Sequence, residues 1–293
     1  MGVLVRLFCF GLGYSAQRLI ARAPAFETSG VTRDAETAKT LRRQGVDAYG
    51  FDPVHPEPAM LRALARAEVL LVTAPPGPGG DPALARLARE LAAAASLQRV
   101  VYLSSVGVYG DYAGGWVEET SPPAPTSPRA RLRLASEGEW RAFGHARGLP
   151  VDILRLAGIY GPARNALVKL RAGAARRIVK PGHVVNRIHV EDIAEIARRI
   201  IERGGAGEAW NVADEEPAPP QDVIAYAAGL LGLAPPPEEA FATAALSPIT
   251  RSFYDDNRRV SVDKLKRDLS YRWLYPDYRR GLDALAASGE GAA

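Results

Sequence analysis

Short apolar runs alternate along this chain with longer stretches in which leucine, alanine and arginine recur at helical spacing. The runs near Val3–Phe10, Thr28–Thr32, Ala48–Phe51, Val69–Thr73, Arg99–Leu103, Asp152–Leu156 and Trp210–Ala213 predict strands. Stretches near Ser15–Arg22, Ala35–Gln44, Ala59–Ala67, Pro82–Ser96, Arg129–Arg147, Glu191–Arg203 and Pro220–Leu231 predict helices. In the fourth of these stretches Leu84, Leu87, Leu91 and the following Leu97 make one buried face. Strands alternating with amphipathic helices are β–α–β units, so the fold class is α/β with a parallel sheet.

The first strand–helix junction reads Gly11-Leu12-Gly13-Tyr14-Ser15-Ala16, a G-x-G-x-x-A loop. Gly11 permits a tight turn, and Gly13 lets a pyrophosphate approach the backbone. Ala16 lets the helix lie close on the strand, and the helix N-terminus offers free N–H groups to phosphate. Gly11, Gly13, Tyr14, Ser15 and Ala16 are therefore read as cofactor-binding, against the alternative of a plain glycine turn. This loop makes the expected sheet a Rossmann-type doubly wound one. The second strand ends in Thr32-Arg33-Asp34, about twenty residues on, where the adenosine ribose is read. A carboxylate there selects NAD and a cation selects NADP. Arg33 favours NADP, with NAD the alternative. Asp34 is either the ribose ligand or the N-cap of the next helix.

Two Pro/Gly-dense segments follow carboxyl ends of strands, Ala74–Pro82 and Ser121–Pro128, and neither is expected to be regular structure. Ala74, Pro75 and Pro76, with Asp52 after the third strand, are assigned to the cofactor; a bland connector is the other reading of the first segment. The 293 residues suffice for a nucleotide domain plus a smaller, mixed C-terminal lobe. The expected domains are 1–162, with 188–214 returning to it, and a substrate lobe of 163–187 and 215–293. Ser288–Ala293 read as a frayed end.

Composition narrows the function. At 47% hydrophobic the chain builds a substantial core, and its one cysteine, Cys9, excludes an intramolecular disulfide and reads as a buried hydrophobe. The net charge of +4 is carried by arginines scattered along helices, which suits small anionic ligands and argues against nucleic acid. No apolar run approaches a membrane span, and Arg6 interrupts the first ten residues, so no signal peptide and no membrane partner are expected. A cytoplasmic location is the expectation. The four histidines show no metal-ligand spacing.

Four motifs then occur in order: Val101-Tyr102-Leu103-Ser104-Ser105-Val106-Gly107-Val108-Tyr109-Gly110, Leu154-Arg155-Leu156-Ala157-Gly158-Ile159-Tyr160-Gly161-Pro162, Arg187-Ile188-His189-Val190-Glu191-Asp192-Ile193-Ala194 and Trp210-Asn211-Val212-Ala213. With them the chain resembles the extended short-chain dehydrogenase/reductase family, in its nucleotide-sugar epimerase/dehydratase branch, over nearly its whole length. The resemblance implies a catalytic serine, matched by Ser105, with Ser104 on the cofactor side. It also implies a Tyr-x-x-x-Lys pair, the tyrosine moving a proton and the lysine holding the nicotinamide ribose. No tyrosine here is followed four residues later by lysine. Counted back from Glu137, which resembles the family's helix glutamate, the two positions hold Arg129 and Arg133.

Arginine stays charged to a pKa above about 12, so Arg129 cannot perform the tyrosine's proton transfer near neutral pH. Arg133 is assigned to the ribose, and Arg129, Tyr109 and Arg187 to an anionic substrate; solvated helix arginines are the alternative for the first two. Tyr160 is the candidate replacement acid, against the alternative that it packs in the core or on the cofactor. His189 reads as a backbone-bonded histidine, and Asp192 as a residue that caps or orients the helix beginning there. Two functions stay open: an NADP(H)-dependent oxidoreductase of atypical site, and a non-catalytic NADP(H)-binding sensor. A homodimer is an expectation from the resemblance.

Overall fold

The computed structural model describes residues 4–52 and 54–291. Val3 of the first expected strand, and Ala292 and Ala293 of the expected frayed end, lie outside the described residues. The strands are β1 (Arg6–Phe10), β2 (Glu27–Thr32), β3 (Asp47–Gly50), β4 (Val69–Val72), β5 (Arg99–Ser105), β6 (Val151–Leu156) and β7 (Ala209–Val212), and they form one sheet in the order 3-2-1-4-5-6-7. This is the doubly wound Rossmann order with one strand added. β1 pairs in parallel with both β2 and β4, with Cys9 opposite Gly30 on one side and Leu71 on the other. Layers cover both faces, which is why β4 and β6 are buried at every position and read as unbroken strands. Burial pushes the Cys9 thiol up to about 12, leaving it an inert core side chain.

The helices that follow are α1 (Tyr14–Arg22), α2 (Ala35–Arg43), α3 (Pro58–Arg66), α4 (Pro82–Ala93), α5 (Pro128–Arg147), α6 (Ala166–Arg171), α7 (Val190–Arg203) and α8 (Pro220–Leu230). Asp34 caps α2 and Asp81 caps α4, each accepting from two first-turn amides. α4 stops at Ala93, short of the expected Ser96, but Leu97 still enters the core at 2% exposure. Trp140 of α5 is fully buried there beside Tyr102, Phe8 and Met60.

The chain divides into two compact units: Met1–Ser105, Arg131–Arg155 and Ile193–Trp210 make unit 1, and Val106–Ala130, Leu156–Asp192 and Asn211–Ala293 make unit 2. These units do not share the boundaries of the expected lobes, because 106–130, 156–162, 188–192 and 211–214 belong to unit 2. Unit 2 holds three two-stranded parallel sheets: Gly158–Tyr160 with Arg187–His189, Arg177–Val179 with Glu238–Ala240, and Trp116–Val117 with Arg259–Val260. Three further helices, α9 (Pro248–Ser252), α10 (Asp263–Leu269) and α11 (Tyr278–Ala287), lie in its C-terminal stretch.

Two expectations are corrected here. Asp192 lies inside α7 rather than capping it, and its carboxylate accepts from Tyr271 Oη at 2.6 Å, Leu274 N at 2.7 Å and Tyr275 N at 3.2 Å. The tail is tied as far as Glu290, whose carboxylate accepts from Ala163 N at 3.0 Å and Asn165 Nδ2 at 3.0 Å.

Candidate functional site

The loop after β1 is held from two sides. Gly11 N and Leu12 N both donate to Val31 O, at 3.2 and 2.8 Å, and Thr73 Oγ1 donates to Gly11 O at 2.6 Å. Gly11 sits at φ +112°, and a Cβ there would collide with the Thr73 side chain. Gly13 is the N-cap of α1, and a Cβ placed on it would meet no atom within 4 Å. Glycine is therefore not needed at 13 for backbone packing; the space it leaves open is at the helix N-terminus. No side chain caps that end and no acidic residue lies in its first turn. First-turn amides lack intrahelical acceptors and carry the positive end of the helix dipole, so the cradle suits a pyrophosphate. Ala16 is fully buried, as close helix–strand packing requires, and Tyr14 and Ser15 are half-buried beside it.

At the end of β2, Asp34 accepts from Thr37 Oγ1 at 2.6 Å and Thr37 N at 3.0 Å, which holds its carboxyl below the usual carboxylate range. Its alternatives thus resolve to the N-cap. Arg33 beside it is exposed and makes no hydrogen bond or ion pair with the described residues. Asp52 Oδ1 accepts from Val54 N at 2.7 Å and His55 N at 3.0 Å, closing a turn after β3. Backbone amides hold one oxygen of this carboxylate, as in an Asx turn.

The segment after β4 has no amide to offer at 74–76. Ala74 N donates to Phe10 O at 3.2 Å, and Pro75 and Pro76 have no N–H. Only carbonyls and ring surface remain there for a ligand. Gly77 and Gly80 then exchange backbone hydrogen bonds at 3.1 and 3.0 Å, so this Pro/Gly stretch closes on itself as one isolated bridge.

Beyond the middle of β5 the side chains are interlocked. Ser104 Oγ donates to Glu137 Oε1 at 2.5 Å, and Glu137 is paired with Arg155 at 2.8 Å, both ends of the pair being at most 3% exposed. The hydroxyl assigned to the cofactor is thus bonded to a buried carboxylate. Arg133 Nη1 donates to Leu103 O at 2.9 Å and Tyr102 Oη at 3.1 Å, strapping α5 to β5. Its Nε and Nη2 make no hydrogen bond with the described residues. Ser105 ends β5 half-buried.

In unit 2, Arg129 is exposed in the first turn of α5. Tyr109 is a correction: it is fully buried and its hydroxyl donates to Asn211 Oδ1 at 2.7 Å, so it is a structural residue. Tyr160 is a second. It is 8% exposed in a cluster with Leu167, Tyr278 and Leu282, its ring edge-on to His189 at 5.1 Å. Burial first, then the carboxylates of Asp214, Asp192 and Asp277, push its phenol far above the usual tyrosine range. A phenol held so firmly protonated is a poor general acid or base. His189 Nδ1 accepts from Glu191 N at 3.2 Å, matching the backbone-bonded reading. Arg187 Nη1 donates to Val185 O at 2.9 Å and Ala218 O at 3.0 Å, and burial lowers its pKa. No group of metal-ligating side chains occurs among the described residues, and no helix of the described residues is long and apolar enough to cross a membrane.

The profile of the NAD dependent epimerase/dehydratase family matches residues 83–213. Protein YeeZ of Escherichia coli (strain K12) is 30% identical over 285 residues, covering 91% of this chain and 95% of YeeZ. The chain belongs to the NAD-dependent epimerase/dehydratase family. A solved Silicibacter pomeroyi protein of unknown function matches with a TM-score of 0.89 and 44% identity, covering 97% of this chain and 99% of the other. The dTDP-glucose 4,6-dehydratase of Bacillus anthracis, solved in complex with NAD, shares the fold at a TM-score of 0.75 and 16% identity over 98% of this chain and 96% of its own.

Within this epimerase/dehydratase-family chain, sequence reasoning passes over Thr73, Arg155 and Asp214. Thr73 is visible only as the last residue of an apolar run. Arg155 is a charge inside an otherwise apolar strand, a pattern that signals a buried partner. Asp214 follows the last strand and gives no local sign of its burial.

Proposed function

We propose that this chain binds NADP(H) on the β1–α1 loop and is an oxidoreductase of the epimerase/dehydratase type acting on a small anionic substrate. The observation that carries the reading is the open position at Gly13 on an uncapped helix N-terminus, with Arg33 exposed at the end of β2. Amides of the first turn of α1 would hold the diphosphate, and Arg33 the 2′-phosphate, because guanidinium matches phosphate geometry and Asp34 is engaged as a helix cap. The coenzyme, when bound, supplies hydride chemistry. Ser105 would hold the substrate oxygen.

The test is calorimetric titration of wild type and Arg33→Glu with NADPH and NADH. The expected result is tight NADPH binding that falls at least tenfold relative to NADH in the variant. Equal loss for both coenzymes would remove the phosphate assignment, and no heat with either would remove the reading altogether.

A second reading, an NADP(H)-binding sensor without turnover, is favoured by one observation. The guanidinium in the family's lysine position, Arg133, is strapped to Leu103 and Tyr102. Stopped-flow oxidation of NADPH against carbonyl and sugar-nucleotide panels separates the two; hydride transfer with any member favours the enzyme.

A further inference from the structure

Unit 2 gathers polar groups that lack partners. Asp214 is 1% exposed, and no side chain hydrogen-bonds its carboxyl oxygens; the Glu216 amide is the backbone donor beside them. His183 is 2% exposed, neither ring nitrogen is bonded, and its ring stacks on Tyr254 at 5.0 Å. The hydroxyls of Tyr254 and Tyr278 make no hydrogen bond with the described residues, although the two residues are only 8% and 3% exposed. Arg187 lies among them. Its backbone oxygen accepts from Asp214 N at 2.6 Å, and Nη1 is fixed on Val185 O and Ala218 O. Nε and Nη2 make no hydrogen bond with the described residues. The guanidinium charge acts on Asp214, His183, Tyr254, Tyr278 and Tyr160 alike, yet Arg187 and Asp214 form no ion pair.

Buried polar groups are normally satisfied, and leaving one without a partner forfeits its hydration with nothing in exchange. Several such groups within electrostatic reach of one buried cation, whose Nε and Nη2 are unbonded among the described residues, point to a ligand. We propose that Arg187, Asp214, Tyr254 and Tyr278 bind a small hydroxylated carboxylate, its carboxylate on Arg187 and its hydroxyl on Asp214. The Nε–Nη2 edge of a guanidinium presents two parallel donors to a carboxylate. A carboxyl group opposite it bonds a hydroxyl, and phenols donate to the remaining oxygens. The charge balance favours a monoanion over a nucleoside diphosphate. Lys180 donates to Tyr254 O and Arg258 is paired with Asp256 at 3.2 Å, which among the described residues of this cluster leaves Arg187 as the cation with unbonded donors. This names the class of anionic substrate in the function proposed above and rests on that reading.

The test titrates the full chain calorimetrically with lactate, glycolate and glucuronate, with acetate and UDP-glucose as controls and NADPH in a separate run. The hydroxycarboxylates are expected to bind more tightly than acetate. Asp214→Asn should weaken them about tenfold and leave acetate unchanged, and Tyr278→Phe should weaken them severalfold. Arg187→Lys should weaken every carboxylate. Should that variant misfold by circular dichroism, the Asp214 and Tyr278 variants carry the test. No binding of any hydroxycarboxylate overturns the proposal, as does unchanged binding in both Asp214→Asn and Tyr278→Phe, or UDP-glucose binding that is tighter and lost in Arg187→Lys. Hydroxycarboxylate binding without NADPH binding supports the site and overturns the coenzyme reading alone.

Discussion

Ser104 donates its hydroxyl to Glu137 across 2.5 Å, and this bond joins the end of β5 to an ion pair that water does not reach. Arg155 holds the other side of Glu137 with two nitrogens, Nε at 3.2 Å and Nη2 at 2.8 Å. The arrangement fixes the backbone at Ser104 and Ser105, where the resemblance to the family places its catalytic serine. Removing one partner leaves the other as an uncompensated buried charge, which costs about 3–5 kcal/mol. Glu137→Leu should therefore lower the unfolding free energy by that amount in urea titrations. The double variant Glu137→Leu/Arg155→Met should recover most of it. A single variant within about 1 kcal/mol of wild type would show the pair to be dispensable.

Gly11 and Gly13 should respond differently to alanine. At Gly11 the positive φ and the Thr73 side chain oppose a Cβ, so Gly11→Ala should lose more than the ~1–2 kcal/mol of backbone strain alone. At Gly13 nothing in the protein is within 4 Å of the new methyl group. Gly13→Ala should keep the wild-type melting temperature and lose coenzyme affinity by tenfold or more. Wild-type NADPH affinity in a folded Gly13→Ala protein would place the diphosphate elsewhere.

Tyr160 should behave as a core ring. Its hydroxyl reaches only Asp277 O, at a long 3.4 Å, so Tyr160→Phe should cost under ~1 kcal/mol and leave turnover unchanged. Tyr160→Ala should cost about 3–5 kcal/mol, as large core truncations do. A Tyr160→Phe protein that is stable but loses turnover would restore the acid role.

Stability should fall on acidification through His183. Burial first, then the charges of Lys180, Arg258 and Arg187, lower its pKa from 6.5 to about 4, with Asp111 opposing. The unfolded state then binds the extra proton between those two values, so the stability contributed by the neutral ring is present above pH 6.5 and lost as pH falls toward 4. Asp214 acts in the opposite sense, because burial raises its pKa and the folded state takes up its proton first. The measurement is therefore the difference between wild type and His183→Phe in urea titrations from pH 7.5 to 4. A shallower acid loss in His183→Phe is expected, and parallel curves would contradict it.

The strands of a doubly wound sheet, the glycine loop and the N-cap alternative at Asp34 were legible along the chain because each is a local matter. Alternating apolar runs report which face is buried, glycine reports the backbone angle, and aspartate before a helix reports unbonded amides within three residues. Whether a polar side chain is available to a ligand is not local. Tyr109 and Tyr160 follow strands in similar sequence surroundings to a ligand-facing tyrosine, yet Tyr109 is bonded to Asn211, 102 residues away, and Tyr160 is packed on α11. Arg33 and Arg133 are alike as letters; one is exposed, and the other is bonded to a strand 30 residues back. Local spacing thus determined the strands, the helices and the glycine loop between the first two elements. Only the tertiary structure decided which charges and hydroxyls were left without partners, because hydrogen-bond satisfaction is settled by groups that meet only after the chain has folded.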